Sequence, residues 1–174
     1  ITVSNFRSIE YASLNVSDFN IFIGQNNCGK TNFFEAIEFF YNGIGSKVDI
    51  NTLKTKKDTT REIIVSIIFI GCQEGLSKMQ NEKNKSALSK AISENDEITI
   101  IRTSSDVKKR GLYINGEEIK SGTGFDTALN DFLPKFEYVN TKQYYDSVAK
   151  YAAKTPMGVM LSGVLSEIVQ SNEQ

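Results

Sequence analysis

The stretch Phe19-Asn20-Ile21-Phe22-Ile23-Gly24-Gln25-Asn26-Asn27-Cys28-Gly29-Lys30-Thr31-Asn32-Phe33-Phe34 decides the fold. Phe19 to Ile23 is nearly all apolar, reads as a strand, and stops at Gly24. Thr31 then opens a helix, because Phe33, Phe34, Ile37, Phe40 and Tyr41 recur at helical spacing and form one wide apolar face. Between strand and helix, Gly24 to Thr31 fits G-x-x-x-x-G-K-[ST], the phosphate-binding loop in the strand–turn–helix context that confirms it.

The spacing has a mechanical reason. Gly24 ends the strand in a tight turn, and Gly29 lets backbone approach a phosphate closely. The N–H groups of Gln25, Asn26, Asn27 and Cys28 between them form an anion nest. Lys30 reaches the β- and γ-phosphates as a point charge, and the Thr31 hydroxyl, followed by Asn32, is placed to ligate Mg²⁺. The helix N-terminus adds a partial positive charge worth up to about 2 kcal/mol toward an anion. The residues therefore call for a nucleoside triphosphate, with ATP and Mg²⁺ as cofactors. Cys28 at the fourth variable position is read as a small space-filler.

Outward from the loop, Ile1 to Phe6 alternates as a half-buried strand, Arg7-Ser8 turns the chain, and a second strand follows near Tyr11 to Val16. After the helix, Asn42-Gly43 and Gly45 stop it. Residues 46–60 read as a polar loop and Arg61 to Gly71 as a β-branched strand. Glu74 to Ser93 reads as a solvated helix. Strands follow at Ile98 to Thr103 and Gly111 to Ile114, joined by the basic turn Lys108-Lys109-Arg110. Asn115-Gly116 signals a hairpin into Glu117 to Lys120. A short helix at Phe125 to Leu133 ends at Pro134; a strand at Phe136 to Asn140 and helices at Tyr144 to Ala153 and Met157 to Gln170 complete the chain. The pattern implies one α/β unit over residues 1–174, a mostly antiparallel strand group leaning on the nucleotide-binding helix.

Composition removes several chemistries. With 20 Lys+Arg against 21 Asp+Glu the net charge is −1, which argues against a domain-wide basic nucleic-acid face. The clusters Lys54/Lys56/Lys57 and Lys108/Lys109/Arg110 remain as local phosphate contacts or as plain solvated loops. The chain has no histidine, which excludes imidazole bases and Ser-His-Asp triads within it. Cys28 and Cys72, with no CxxC pair, fit a reducing, cytoplasmic setting. No run is long enough to span a bilayer, and no membrane partner is expected. The start at Ile1, inside a strand and without Met, implies a trimmed N-terminus.

Asn5-Phe6-Arg7-Ser8-Ile9 ahead of the loop, and the run Gly24 to Ile37 as written, resemble the amino-terminal lobe of the ABC-type ATPase head. That head is shared by the structural maintenance of chromosomes (SMC) proteins, their DNA-repair relatives and the OLD (overcoming lysogenization defect) family. The Asn26-Asn27-Cys28-Gly29-Lys30-Thr31-Asn32 form is most similar to the OLD family, which includes ATPase–nuclease effectors of anti-phage systems such as Gabija and retrons. The resemblance implies ATP–Mg²⁺ held by Lys30 and Thr31, and head-to-head pairing of two copies. It also implies DNA as substrate of the whole assembly, with a further defence-system partner. Arg7 matches a basic position near the nucleotide in several such heads; a surface arginine is the competing reading. Gln143, just past the Phe136–Asn140 strand, matches the Q-loop glutamine that meets Mg²⁺ and the attacking water, although polar residues follow strands routinely.

Two motifs of such heads are missing. Neither Ile98 to Arg102 nor Ile63 to Ile70 ends in Asp-Glu, and Leu161-Ser162-Gly163 is read as helix surface rather than a signature sequence. The expectation is a partial lobe whose signature and acidic motifs, and any Toprim nuclease, lie downstream. The alternatives are an SMC- or repair-type head without nuclease, and a small adaptor that binds nucleotide without hydrolysing it.

Overall fold

The computed structural model describes residues 1–120, 122, 124–138, 158 and 161–162. The chain divides into two compact units, Ile1–Pro134 and Lys135–Gln174.

The first unit is built on one six-stranded sheet: β1 (Thr2–Phe6), β2 (Ile9–Ser13), β3 (Ile64–Ile70), β4 (Glu97–Thr103), β5 (Gly111–Ile114) and β6 (Glu117–Ile119), in spatial order β2-β1-β3-β4-β5-β6. Every neighbouring pair is antiparallel. Alternation sets which face is covered. Val3 pairs with Val65 and Val65 with Arg102, while Ile67, Ile100, Leu112 and Ile119 form the next row across four strands. All but Ile119 of these are buried. On the opposite face Ile68 and Ile70 are exposed.

Four helices accompany the sheet: α1 (Lys30–Asn42), α2 (Cys72–Lys78), α3 (Glu82–Ile92) and α4 (Phe125–Phe132). Helix α1 buries Phe33, Ala36, Phe39 and Phe40, one stripe at helical spacing. It stops where Gly43 takes a left-handed φ of 69° and returns its N–H to Phe39 O at 2.8 Å. A Cβ there would stand 2.9 Å from Val107 O, so glycine is required on space as well as on φ.

Two arginines cross the core. Arg102 donates Nε to Phe40 O at 2.9 Å and Nη1 to Val107 O, tying the end of α1 to the sheet. Burial, and next the neighbouring Arg110, hold its pKa below the ordinary guanidinium range. Arg110, its side chain wholly enclosed, pairs Nε with Asp126 Oδ1 at 2.8 Å and binds Asn130 Oδ1. The expected basic turn is thereby reduced to Lys108 and Lys109, because Arg110 points inward as a structural ion pair.

Other expectations shift for local reasons. The second strand is Ile9–Ser13 rather than 11–16, since Arg7, at φ 50°, closes a tight two-residue turn that pairs Phe6 directly with Ile9. The expected helix over 74–93 divides in two, because Met79 leaves helical geometry and the Asn81 side chain caps a new start by accepting from Asn84 N at 3.2 Å. The loop over 46–60 contains two short 3₁₀ turns, Ile50–Leu53 and Thr55–Lys57. It is pinned to the β1–β2 turn by Arg7 N to Leu53 O at 2.6 Å and by the buried Thr55 hydroxyl to Ile9 O at 2.8 Å.

The largest correction concerns Phe19–Ile23, which joins no ladder among the described residues. Phe22 packs its ring against Phe33 at 5.4 Å and Phe34 at 4.9 Å. Phe19, Ile21 and Ile23 stand 78%, 69% and 90% exposed. The run has strand composition but no ladder partner among the described residues, its Phe19 carbonyl accepting instead from the Ser17 hydroxyl at 3.0 Å, and composition alone cannot make a strand.

In the second unit, Phe136–Tyr138 carry no strand; the rest of the strand expected there lies outside the described residues. Leu161 and Ser162 are helical and exposed.

Candidate nucleotide site

The loop from Gly24 to Thr31 is exposed or half-buried throughout and leads into α1. A turn closes it from Cys28 N to Gln25 O at 3.4 Å. Asn27 and Gly29 take left-handed φ angles of 64° and 100°. At Gly29 a Cβ would meet strain in φ and the Ser8 hydroxyl at 3.3 Å; at Gly24 it would stand 2.9 Å from Cys28 Sγ and 3.9 Å from Lys30 Nζ. Gly29 is thus favoured by its φ and by the Ser8 hydroxyl, and Gly24 by the Cys28 sulfur that crowds it. Cys28 is exposed, with its Sγ against the loop at Gly24 and Lys30.

The Lys30 ammonium turns back over the loop. It donates to Gly24 O and Gln25 O, both at 2.7 Å, with Cys28 Sγ at 3.5 Å. Helix α1 begins with Gly29 as cap, no side chain on its first N–H groups and no acidic residue in its first turn. Its N-terminal partial charge is therefore uncompensated, and its free amides are donors for an anion. Thr31, exposed, stands in that first turn. Cradle, ammonium, hydroxyl and amides all fit a polyphosphate with a divalent cation.

The β1–β2 turn buttresses the loop. Asn32 Nδ2 donates to Ser8 Oγ at 2.7 Å, so Asn32 faces the turn with its amide. Arg7 Nε lies 2.8 Å from Glu35 Oε2 on the next turn of α1. That buried oxygen nevertheless accepts no well-aligned hydrogen bond, so the contact is an ion pair more than a directed bond. Arg7 and Glu35 also line a cavity of about 380 Å³ to which none of Gly24–Thr31 contributes. Sequence reasoning missed Ser8 and Glu35; Ser8 stands inside the quoted Asn5–Ile9 run, but only the folded turn shows that its hydroxyl reaches Gly29. Gln143 lies outside the described residues.

The profile of a family described as an AAA ATPase domain matches residues 1–156. The chain belongs to that family. It is similar to the Old nuclease of Escherichia phage P2, 26% identical over 185 residues covering all of this chain and 30% of that protein. It is also similar to the endonuclease GajA of Bacillus cereus (strain VD045), 28% identical over 155 residues covering 80% of this chain and 26% of that one. The chain thus spans less than a third of the length of the curated relatives it matches. Among solved structures it superposes on one described under "Structural biochemistry of ATP-driven dimerization and DNA stimulated activation of SMC ATPases", with a TM-score of 0.50, 19% identity, and coverage of 75% of this chain and 74% of that one. That likeness bears out the fold: a mixed α/β lobe of an SMC-like head with an antiparallel sheet. Family membership makes ATP the nucleotide. Among the described residues no helix is long and apolar enough to cross a membrane.

Proposed function

We propose that this chain is the ATP–Mg²⁺-binding lobe of a DNA-directed ABC-type ATPase that gates a Toprim nuclease in anti-phage defence. The observation that carries the nucleotide part is the Gly24–Thr31 loop, in which the Lys30 ammonium folds back onto the Gly24 and Gln25 carbonyls beside the uncapped N-terminus of α1. Lys30 binds the terminal phosphates and stabilises charge in the transfer step. Thr31 would hold Mg²⁺ together with phosphate oxygens, a cation that is ordinarily bound through few protein ligands plus substrate phosphates. Gln25, Asn26, Asn27, Cys28 and Asn32 supply backbone amides or neighbouring contacts. Arg7 reaches the nucleotide only by leaving Glu35. Gln143 completes the metal and water shell.

The unladdered Phe19–Ile23 run supports the view that this lobe is partial. A strand that feeds a phosphate loop normally lies inside a parallel sheet, buried on both faces. Its neighbours, with the signature and acidic motifs, are then supplied downstream, and a second head closes each site as ATP clamps the dimer. The nuclease and the defence role rest on the similarity to the two nucleases. The test is ATP-dependent cleavage of phage DNA by the complete protein. Loss in Lys30→Ala supports the reading; ATP-independent cleavage, or none, contradicts the coupling. A downstream heptad repeat without an acidic nuclease cluster would instead favour an SMC- or repair-type head.

A further inference from the structure

Half of the six cations that the sequence offers as nucleic-acid contacts are occupied, as is the neighbouring Arg61. Lys54 donates to Thr59 O, Lys56 pairs with Glu10, Arg61 with Asp58 and Arg110 with Asp126. Neither cluster forms an open phosphate-binding patch as written.

A different set of lysines converges where the sequence gives no hint of it. Between α3 and α4 runs an open groove of about 700 Å³. Lys83 and Lys90 come from α3 and Lys120 from just past β6. All three are exposed, and none has an ion-pair partner among the described residues. Lys83 and Lys90 are two helical turns apart, about 10.5 Å along the axis, on the same face. Ala87 lies between them, and a side chain that small keeps the trough open. Among the described residues no carboxylate lines the groove; Asp131, outside the lining, is engaged by Asn84 Nδ2 at 3.1 Å. In a chain of net charge −1, three ammoniums in one concavity, with neither an ion-pair partner nor an acid in the lining among the described residues, make a local reversal of sign.

We propose that the α3–α4 groove binds the phosphodiester backbone of DNA without reading its sequence. The proposal rests on the reading of DNA as substrate of the assembly, and gives it a place on this lobe distinct from the nucleotide loop. Lysines acting as point charges on phosphates suit backbone contact, whereas base readout calls for planar bidentate groups, and no arginine lines the groove.

The test is fluorescence anisotropy with a random 30-base-pair duplex across a salt series. It compares the wild type, the groove variant Lys83→Ala/Lys90→Ala/Lys120→Ala, and the charge-matched control Lys47→Ala/Lys57→Ala/Lys109→Ala, each checked for unchanged melting temperature and ATP affinity. Three phosphate contacts predict that the groove variant binds about tenfold or more weakly and loses about 2 to 3 from the salt slope, while the control changes by much less. Equal losses in both variants, or undiminished DNA binding in the groove variant, would overturn the groove while leaving DNA as the substrate. No DNA binding by the wild type at low salt would overturn both. Titration of tripolyphosphate into Lys30→Ala is the remaining arm: saturable heat that the groove substitutions abolish, with DNA binding untouched, would mean a free polyphosphate site and would also overturn the proposal.

Discussion

Lys30 Nζ donates to the Gly24 carbonyl at 2.7 Å, so the motif's cation and its first glycine are bonded to each other across the loop. The same ammonium reaches Gln25 O. A triphosphate entering the loop exchanges these neutral acceptors for anionic ones, and charge-assisted bonds are roughly twice as strong as neutral ones. The exchange favours the ligand, and it ties nucleotide binding to the shape of residues 24–30.

That shape gives a first prediction. Gly24→Ala places a methyl 2.9 Å from Cys28 Sγ, and is expected to weaken ATP binding about tenfold, or about 1.4 kcal/mol. Adding Cys28→Ala removes the obstructing sulfur and recovers part of the loss. Calorimetric titration of the two single variants and the double gives the coupling; strictly additive losses would show that the sulfur is not the obstacle.

The buried pair Arg110–Asp126 gives a second. Asp126→Ala leaves an enclosed guanidinium without its carboxylate and is expected to cost about 3 kcal/mol, read as a lowered denaturation midpoint. Lys108→Ala/Lys109→Ala, one step away on the exposed turn, is expected to change stability by less than about 0.5 kcal/mol. Similar effects from both would contradict the division of that basic run into one structural and two solvated residues.

Alkaline stability gives a third. Burial pushes the Cys72 thiol up from 9.0 to about 11, with Asp96 adding to the effect. Below pH 9 the thiol is protonated in folded and unfolded chains alike and its contribution is intact. Between pH 9 and about 11 the unfolded thiol ionises first, so stability falls on the order of 2 kcal/mol across that window. Cys72→Ala lowers stability overall by leaving a cavity, but is expected to flatten this slope. Denaturant unfolding at pH 8, 9, 10 and 11 compares the slopes, and parallel curves would remove the thiol from the account.

The exposed run Phe19–Ile23 gives a fourth. With three large apolar side chains outward and no ladder partner among the described residues, this 174-residue chain is expected to self-associate with rising concentration. Ile21→Lys/Ile23→Thr is expected to suppress that association at unchanged melting temperature, since neither residue packs in the core. Sedimentation velocity across concentrations decides, and association that persists in the variant points elsewhere.

The nucleotide loop, α1 and the β5–β6 hairpin were legible in sequence because each depends on short-range rules: glycine spacing, helical periodicity and an Asn-Gly turn. Four features were not. Arg110 looked like surface charge because nothing local shows that Asp126, sixteen residues on, will neutralise it. Phe19–Ile23 looked like a strand because composition states what a segment can pair as, not whether a neighbour exists. Lys83 and Lys90 share α3, but Lys120, thirty residues further on and just past β6, joins them only in the folded chain. Ser8 belongs with these, since its place against Gly29 follows from the left-handed turn at Arg7.

The central claim is that the Gly24–Thr31 cradle holds ATP through Lys30. Isothermal titration of ATP–Mg²⁺ into wild type and Lys30→Ala, with folding checked by circular dichroism, tests it most directly. The account predicts saturable binding by the wild type and a loss of about a hundredfold or more in the variant, about 2.7 kcal/mol. Undiminished affinity in a folded Lys30→Ala chain would contradict it.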